Sequence, residues 1–253
     1  MIVSGLTDLM TEELYLPANE YQKEFKAEVT KSRGVPEEEH EGYICLEKTL
    51  FYKEGGGQPA DHGKISWGEN ESEVVDVQRE DGEVRHYIQG ELPESGTKIK
   101  AEIDWERRYN HMRMHTAQHL VSWVVLNRYN ASTAGNQIHE DYSRIDFEPA
   151  EFDESDVEKI EKSVNALIEK ELEVEKKYMA REQVEQAVEE GRTNLDIIPG
   201  HIDPLRVVII GDNDLCPCGG THVDNIKEIG GINITDRISK GADVERLEFE
   251  LEE

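Results

Sequence analysis

The stretch DWERRYNHMRMHTAQHLVSWVVLNRY, residues 104–129, is where the chain changes texture. It holds no proline or glycine, and its composition predicts a helix running from Asp104 to about Arg128. The residues before it are written differently. FKAEVTKS (25–32), GYICLEKTLFY (42–52), GKISWG (63–68), ESEVVDVQRE (71–80), EVRHYIQG (83–90) and TKIKAEID (97–104) are short alternating runs separated by Gly, Pro and Asp-Gly signals. Such spacing predicts strands of a small antiparallel barrel or sandwich. An α+β chain follows, with an N-terminal β-barrel domain over 1–103 and an α/β two-layer domain over 104–253. No low-complexity linker separates them, so two domains in firm contact are expected.

Beyond the helix, AGNQIHEDYSRIDFEP (134–149) reads as a turn and a strand. DESDVEKIEKSVNALIEKELEVEKKYM (153–179) carries Val157, Ile160, Val164, Leu167, Ile168 and Leu172 at helical spacing, with Asp153 as N-cap. REQVEQAVEEG (181–191) predicts a short helix closed by Gly191. LRVVIIG (205–211) reads as a buried strand, and GGINITDRISK and VERLEFELEE as a terminal strand pair.

The 253 residues carry 28 Lys+Arg against 56 Asp+Glu, a formal charge of −28. A hydrophobic fraction of 36% is enough for a packed core under an acidic skin. The balance argues against a polybasic membrane surface and against DNA or other nucleic acid held by bulk charge, because neutralising phosphates takes clustered Lys and Arg. Any nucleic acid must find a local basic patch. Acidity of this degree also suits a salt-rich cytosol, where screening relieves self-repulsion. No run approaches the roughly 18 apolar residues of a membrane span, and MIVSGLTDLMTEELYL lacks the basic start and apolar core of a signal peptide. A cytoplasmic protein is expected. Cys45, Cys216 and Cys218 are too few for a disulfide framework, which turns attention to metal or thiol chemistry.

His111, His115 and His119 recur every fourth residue, so two overlapping pairs lie on one helix face and either pair can present imidazoles to one ion. Spacing alone does not choose between them. A second cluster, Cys216-Pro-Cys218-Gly-Gly-Thr-His222, puts a thiol and an imidazole four apart around two glycines that let the backbone fold beneath a metal. Two helix histidines with Cys218 and His222 make the tetrahedral N/S set that zinc prefers. No Glu follows His115, which disfavours zinc-peptidase chemistry. A third feature is FYKEGGGQPADHG (51–63), whose Gly55, Gly56 and Gly57 ahead of Gln58 permit close approach to a ligand and equally suit a plain hairpin loop.

Asp104-Trp-Glu-Arg-Arg, His111-Met-Arg-Met-His115-Thr-Ala-Gln-His119-Leu, Cys218-Gly-Gly-Thr-His222-Val with Glu228-Ile-Gly, and Ser239-Lys-Gly resemble, in that order, the editing domain of alanyl-tRNA synthetase. With a barrel and a GGGQP loop ahead of it, the whole chain resembles the AlaX family, in particular its medium-length type. The resemblance implies a trans-acting, ATP-independent, zinc-dependent deacylase of misacylated tRNA(Ala), chiefly seryl-tRNA(Ala), with glycyl-tRNA(Ala) as a further candidate. It implies one zinc per chain on His115, His119, Cys218 and His222, leaving His111 outside the ligand set. Cys216 is a competitor for the metal that Pro217 constrains. Gln137, by rough alignment with a synthetase glutamine, and Thr133 are the candidate catalytic-pocket residues. Gly55, Gly56, Gly57, Gln58 and Arg113 are candidate substrate contacts, and Arg107, Arg108, Lys53 and Lys240 are further basic candidates for tRNA. The alternative is a non-catalytic, zinc-stabilised tRNA-binding module or accessory subunit.

Overall fold

A computed structural model describes residues 11–252 except Pro36, Glu38, Glu39, Asn213 and Ala242. Residues 1–10, where a leader was sought, lie outside the described residues. Contacts divide the chain into two units, Met1–Glu54 with Ala60–Arg108, and Gly55–Pro59 with Tyr109–Glu253.

In the first unit the strands are β1 (Glu12–Glu13), β2 (Glu24–Gly34), β3 (Gly42–Leu46), β4 (Lys48–Thr49), β5 (Gly63–Trp67), β6 (Asn70–Glu80), β7 (Glu83–Gln89) and β8 (Lys98–Ile103). Six of them close a barrel in the order β2-β3-β7-β6-β5-β8, all antiparallel, while β1 and β4 pair in parallel. Each of the six alternating runs read from the sequence supplies a barrel strand. The period-2 pattern explains why: Phe25, Ala27 and Val29 of β2 and Ile99, Ala101 and Ile103 of β8 point inward, and Lys26, Glu28, Lys98 and Lys100 between them point out.

Arg108 and His86 are among the polar side chains buried in this unit. Arg108 is wholly buried, its guanidinium on the Asp61 carboxylate and on the carbonyls of Glu20 (2.9 Å) and Leu50 (2.6 Å), and Asp61 also accepts the Tyr52 amide at 2.7 Å. Expected to face tRNA, Arg108 is instead an internal brace, because each of its three guanidinium nitrogens has a protein acceptor. Arg107 Nε donates to the Ala60 carbonyl (3.1 Å) and Lys53 pairs with Glu13 (2.7 Å). His86 is also buried. It donates from Nδ1 to the Ile44 carbonyl (3.3 Å) and accepts the Thr49 hydroxyl at Nε2 (2.8 Å).

The second unit comprises α1 (Trp105–Tyr129, whose first four residues belong to the barrel unit), β9 (Ser132–Ile138), β10 (Ser143–Glu148), α2 (Glu154–Ile168), β11 (Val174–Met179), α3 (Arg181–Ala187), β12 (Leu205–Ile210), β13 (Asp214–Pro217), β14 (Ile232–Gly241) and β15 (Val244–Leu251). A four-stranded sheet in the order β14-β15-β10-β9 packs its inner face, including Ile145, Phe147, Leu247 and Phe249, against Leu120, Val121 and Val124 of α1 and Ile160 and Val164 of α2. This is the expected two-layer arrangement. A separate three-stranded sheet, β11-β12-β13, carries the segment that leads into Cys218.

Three sequence expectations need correction. AGNQI is itself a strand, β9, paired with β10, although its small and polar residues hide the alternation. The helix predicted over 153–179 has the Asp153 cap and an Asp153/Asp156 capping box but stops at Ile168; Glu171, at φ 53°, turns the chain, and VEKKYM becomes β11 beside the buried β12. α3 ends at Ala187, so Gly191 does not cap it.

Arg108→Met should destabilise the protein by about 3–5 kcal/mol, since it strands the Asp61 carboxylate in the core; urea unfolding measures this. Burial holds the His86 imidazole at about 4, against 6.5 in an unperturbed chain. Below pH 6.5 the unfolded chain therefore takes up a proton that the barrel refuses. The stability His86 contributes, present above about pH 6.5, should fall by about 1.4 kcal/mol per pH unit down to about pH 4. His86→Gln should flatten that slope relative to the parent chain.

Candidate metal centre

Two segments about a hundred residues apart build the site. On α1 the i, i+4 spacing stacks His115 and His119 on one face; on the loop after β13, Cys218 and His222 flank Gly219 and Gly220. Ligand atoms of these four residues all lie within 4.8 Å of one another. Cys218 Sγ stands 3.6 Å from His115 Nε2 and 3.4 Å from His222 Nε2. Ligand atoms bound at about 2.0–2.3 Å around one tetrahedral ion are about 3.6 Å apart. The separations therefore suit one four-coordinate ion.

The two Nε2 atoms are directed inward by what holds the other side of each ring. Gln58 Oε1 accepts the Thr221 amide (2.9 Å), which fixes it as the acceptor facing His115 Nδ1 (2.9 Å); His115 must carry its proton there and present a lone pair at Nε2. Gln58 Nε2 donates to Thr221 Oγ1 (2.9 Å), completing the contact. At His222, the Thr116 hydroxyl donates to the Met112 carbonyl (2.8 Å), so its oxygen accepts from His222 Nδ1 (3.2 Å) and leaves Nε2 open. His119 Nδ1 faces Asp214 Oδ2 at 3.8 Å, and that carboxylate is clamped by Arg192 at 2.6 and 2.8 Å.

Burial keeps all three imidazoles neutral. It depresses His115, with help from the Arg206 charge, to about 3, and it lowers His119 and His222 as well. Burial would raise the Cys218 thiol, but His119, Arg206 and the Gly220 amide (3.4 Å to Sγ) outweigh it and hold the thiol below its ordinary value. Neutral imidazoles and a thiol that readily ionises are the protonation states of metal ligands. Arg206 also donates to the carbonyls of Cys218 (2.7 Å) and Gly220 (2.9 Å), fixing the loop from below.

Close approach explains the glycines. A Cβ on Gly220 would stand 2.1 Å from His115 Cε1, so only glycine lets the loop reach the ring. Gly55 and Gln58 exchange backbone hydrogen bonds (3.1 and 3.0 Å) around Gly56 and Gly57, at φ 61° and 83°, the signs a type I′ turn requires. Gly57 accepts the Ile138 amide (2.7 Å), and a Cβ there would meet Asn136 at 2.7 Å. The loop is therefore a tight hairpin whose close approach is to another segment of the chain, β9.

The other expected residues divide. Thr133 Oγ1 donates to Ser122 of α1 (2.8 Å). Gln137, by strand alternation, lies on the face of β9 opposite Asn136 and Ile138, and its amide makes a 3.4 Å contact with the Ile138 carbonyl. On the helix-facing side Asn136 joins Gln118 (2.9 Å) to the Gly56 carbonyl (3.1 Å), and Gln118 donates to Ser143. Neither Asn136 nor Ser143 was expected; the polar residues of β9 and β10 were the available signal. Gln58 is wholly buried, and Arg113 donates to the carbonyls of Glu228 (2.9 Å), Ile229 (2.7 Å) and Glu252 (3.2 Å). Cys216 lies on β13 outside the four-residue cluster, and burial pushes its thiol up to about 12. His111 is buried outside it too, and Lys240 is exposed on β14.

Residues 7–107 match the family described as tRNA synthetases class II (A), and residues 205–248 match the threonyl and alanyl tRNA synthetase second additional domain. The chain is 37% identical to "Alanyl-tRNA editing protein AlaX-M" of Methanosarcina barkeri, over 96% of this chain and 99% of that protein. It is 34% identical to "Alanyl-tRNA editing protein AlaX-L" of Pyrococcus horikoshii, over 95% of this chain and 58% of that longer protein. An "Alanine--tRNA ligase" of Methanopyrus kandleri is 34% identical over 96% of this chain and 26% of its own length.

Gln58→Ala should weaken divalent-metal affinity about 10–100-fold, because His115 loses the acceptor that sets its tautomer. Competition with a chromophoric chelator measures it.

Proposed function

Since the chain belongs to the AlaX family of alanyl-tRNA editing proteins, a family of deacylases that act in trans on misacylated tRNA(Ala), we propose that it does so with one zinc ion held by His115, His119, Cys218 and His222, releasing chiefly serine. The observation that carries this reading is the convergence of two distant motifs into a buried N₃S set whose His115 and His222 rings are held by partners that leave Nε2 open. Zinc in such a set supplies fixed positive charge and Lewis acidity beside the scissile ester.

The remaining work belongs to the chain's own groups. Hydrolysis adds water across the ester: its oxygen bonds the aminoacyl carbon, the bond to the ribose oxygen breaks, and the ribose oxygen takes a proton. The ester is already activated, so holding it still and excluding stray water go far. The Gly55–Gln58 turn holds β9 by its carbonyls and His115 by Gln58, a positioning residue. Selectivity requires a buried partner for the serine hydroxyl, because alanine then leaves that partner unsatisfied. We assign this to the helix-facing side of β9, with Thr133 as the hydroxyl partner and Gln118, Asn136 and Ser143 as its polar surroundings. Gln137, on the other face, serves the site through the β9–β10 ladder it shares with Arg144. Folding and editing in the cytoplasm, where translation supplies the substrate, accords with the acidic, cysteine-poor composition.

Cys218→Ala should lose zinc and serine release from seryl-tRNA(Ala) together, measured by atomic absorption beside amino-acid release. Full deacylation by a verified zinc-free variant overturns the proposal. Stoichiometric zinc in a parent chain that releases nothing would favour a binding module.

A further inference from the structure

A chain of net charge −28 must still hold a polyanion if its substrate is tRNA, and of the basic residues singled out by sequence only Lys240, on β14, is exposed. Arg108 is buried on Asp61, Arg113 is spent on three carbonyls, Lys53 is paired with Glu13 and Arg107 with a carbonyl. The barrel unit carries another group. An open cleft of about 730 Å³ is lined by Lys26, Lys48, Lys98 and Lys100, with Ser66 and the half-buried Trp67 at its side. Four of the chain's fifteen lysines gather there.

The placement is dictated by the barrel ladder. Lys26 on β2 stands directly opposite Lys100 on β8, and Ser66 on β5 flanks Lys100 from the other side. Like charges directly opposite each other on a sheet repel and destabilise it. Two acidic residues, Glu28 and Glu47, also line the cleft; Lys98 sits across the ladder from Glu28, Lys48 is 3.9 Å from Glu47, and Lys100 reaches Glu24 at 2.8 Å. The lining itself is four cations against two anions, and Glu24 beside Lys100 brings the local balance to one net positive charge. Other clefts differ: one is lined by Glu37, Asp76 and Glu80 with no Lys or Arg, another by Glu189, Asp212 and Asp214. Cationic side chains beside a half-buried indole are what a nucleic-acid strand engages, phosphates on the ammonium groups and a base or ribose on the accessible part of the ring.

We infer that the Lys26/Lys48/Lys98/Lys100 cleft beside Trp67 is the surface on which the barrel unit binds the phosphodiester backbone of the RNA substrate. Naming that RNA as tRNA rests on the editing function proposed above; the electrostatic argument for a polyanionic strand does not. Lysines read backbone charge without sequence, so the cleft contributes affinity and salt dependence, and discrimination among aminoacyl groups stays with the other unit.

The test replaces Lys26, Lys98 and Lys100 together by Gln in the full-length, zinc-loaded protein, with the corresponding triple Arg variant as the charge-preserving control. Binding of unacylated tRNA(Ala), followed by fluorescence anisotropy over a salt series, should weaken at least about tenfold near 0.1 M salt, and the slope of log K against log[salt] should shrink by about 2–3. The Arg variant should keep both. Serine release from seryl-tRNA(Ala) should show a raised KM with kcat unchanged, whereas release from a seryl ester of the terminal adenosine alone should not change. The Gln variant should melt close to the parent, since relief of the Lys26–Lys100 repulsion offsets the loss of the exposed Lys100–Glu24 and Lys98–Glu28 pairings; a lower melting temperature shared by the Arg variant, with weakened binding in both, would make the effect structural and overturn the assignment. Unchanged affinity and salt slope in the Gln variant also overturn it, whether or not the protein deacylates. A parent chain that binds RNA through these lysines yet releases no serine keeps the cleft and overturns the editing function instead.

Discussion

One carboxamide ties the metal-site cluster of the second unit together. Gln58 comes from a four-residue turn, His115 from the long helix and Thr221 from the loop between two ligands, and all three meet at the Gln58 side chain. Its oxygen must be an acceptor because a backbone amide donates to it, and that requirement passes through His115 to the nitrogen facing the cluster. Gly220 makes the meeting sterically possible, since any Cβ there would occupy the space of the imidazole. The geometry of the centre thus rests on a hydrogen bond whose direction is settled outside it, which is how outer partners usually orient metal-binding histidines.

The electrostatics of the second unit follow from the same burial. Three buried imidazoles remain neutral, and the cations acting on them are Arg192, Arg206 and Lys176, with the Asp214 carboxylate 3.8 Å from His119. The cations disfavour protonating the histidines and favour ionising Cys218. Arg192 is in turn neutralised by Asp214, and Lys176 lies against Asp224 and the His222 and Val223 carbonyls. Buried cations with assigned partners are stable, and the field they leave at the cluster suits a thiolate. The overall acidity of the chain plays no direct part there, because it is carried by side chains at the surface.

Much of this was legible in the residues, and what was not has physical causes. The barrel announced itself because its strands bury one face only, which writes strict alternation into the sequence. β9 did not, because Ser132-Thr-Ala-Gly-Asn-Gln packs small and polar groups toward the helix, and a strand without large apolar residues has no period to detect. The end of α2 was hidden for a different reason: Leu172 continues the helical spacing, and the turn is made by Glu171 in a left-handed conformation that a glycine would have advertised. The four-residue cluster was legible from the resemblance, while spacing left His111 equal to His119. Contact with a loop a hundred residues away breaks that tie, and no local pattern encodes it. Arg108 failed as a surface residue because a sequence shows charge but not the acceptors waiting inside a barrel.

Charge bookkeeping over the whole chain therefore answers a different question from charge at a site. The −28 total is a sum over a surface, and screening at physiological salt confines each charge's influence to about 8 Å. At that range a strand of RNA near β2 and β8 meets Lys26, Lys98 and Lys100 with the neighbouring Glu24 and Glu28, and not the glutamates of more distant surfaces. The surrounding acidity then has a use: it lowers the affinity of the rest of the surface for a polyanion, so that weak, non-specific binding is suppressed while the cationic cleft stays available. A neutral protein with the same four lysines would hold RNA more tightly and in more registers. For an enzyme that must release each tRNA once its ester is cut, binding confined to one local site favours turnover over tight retention.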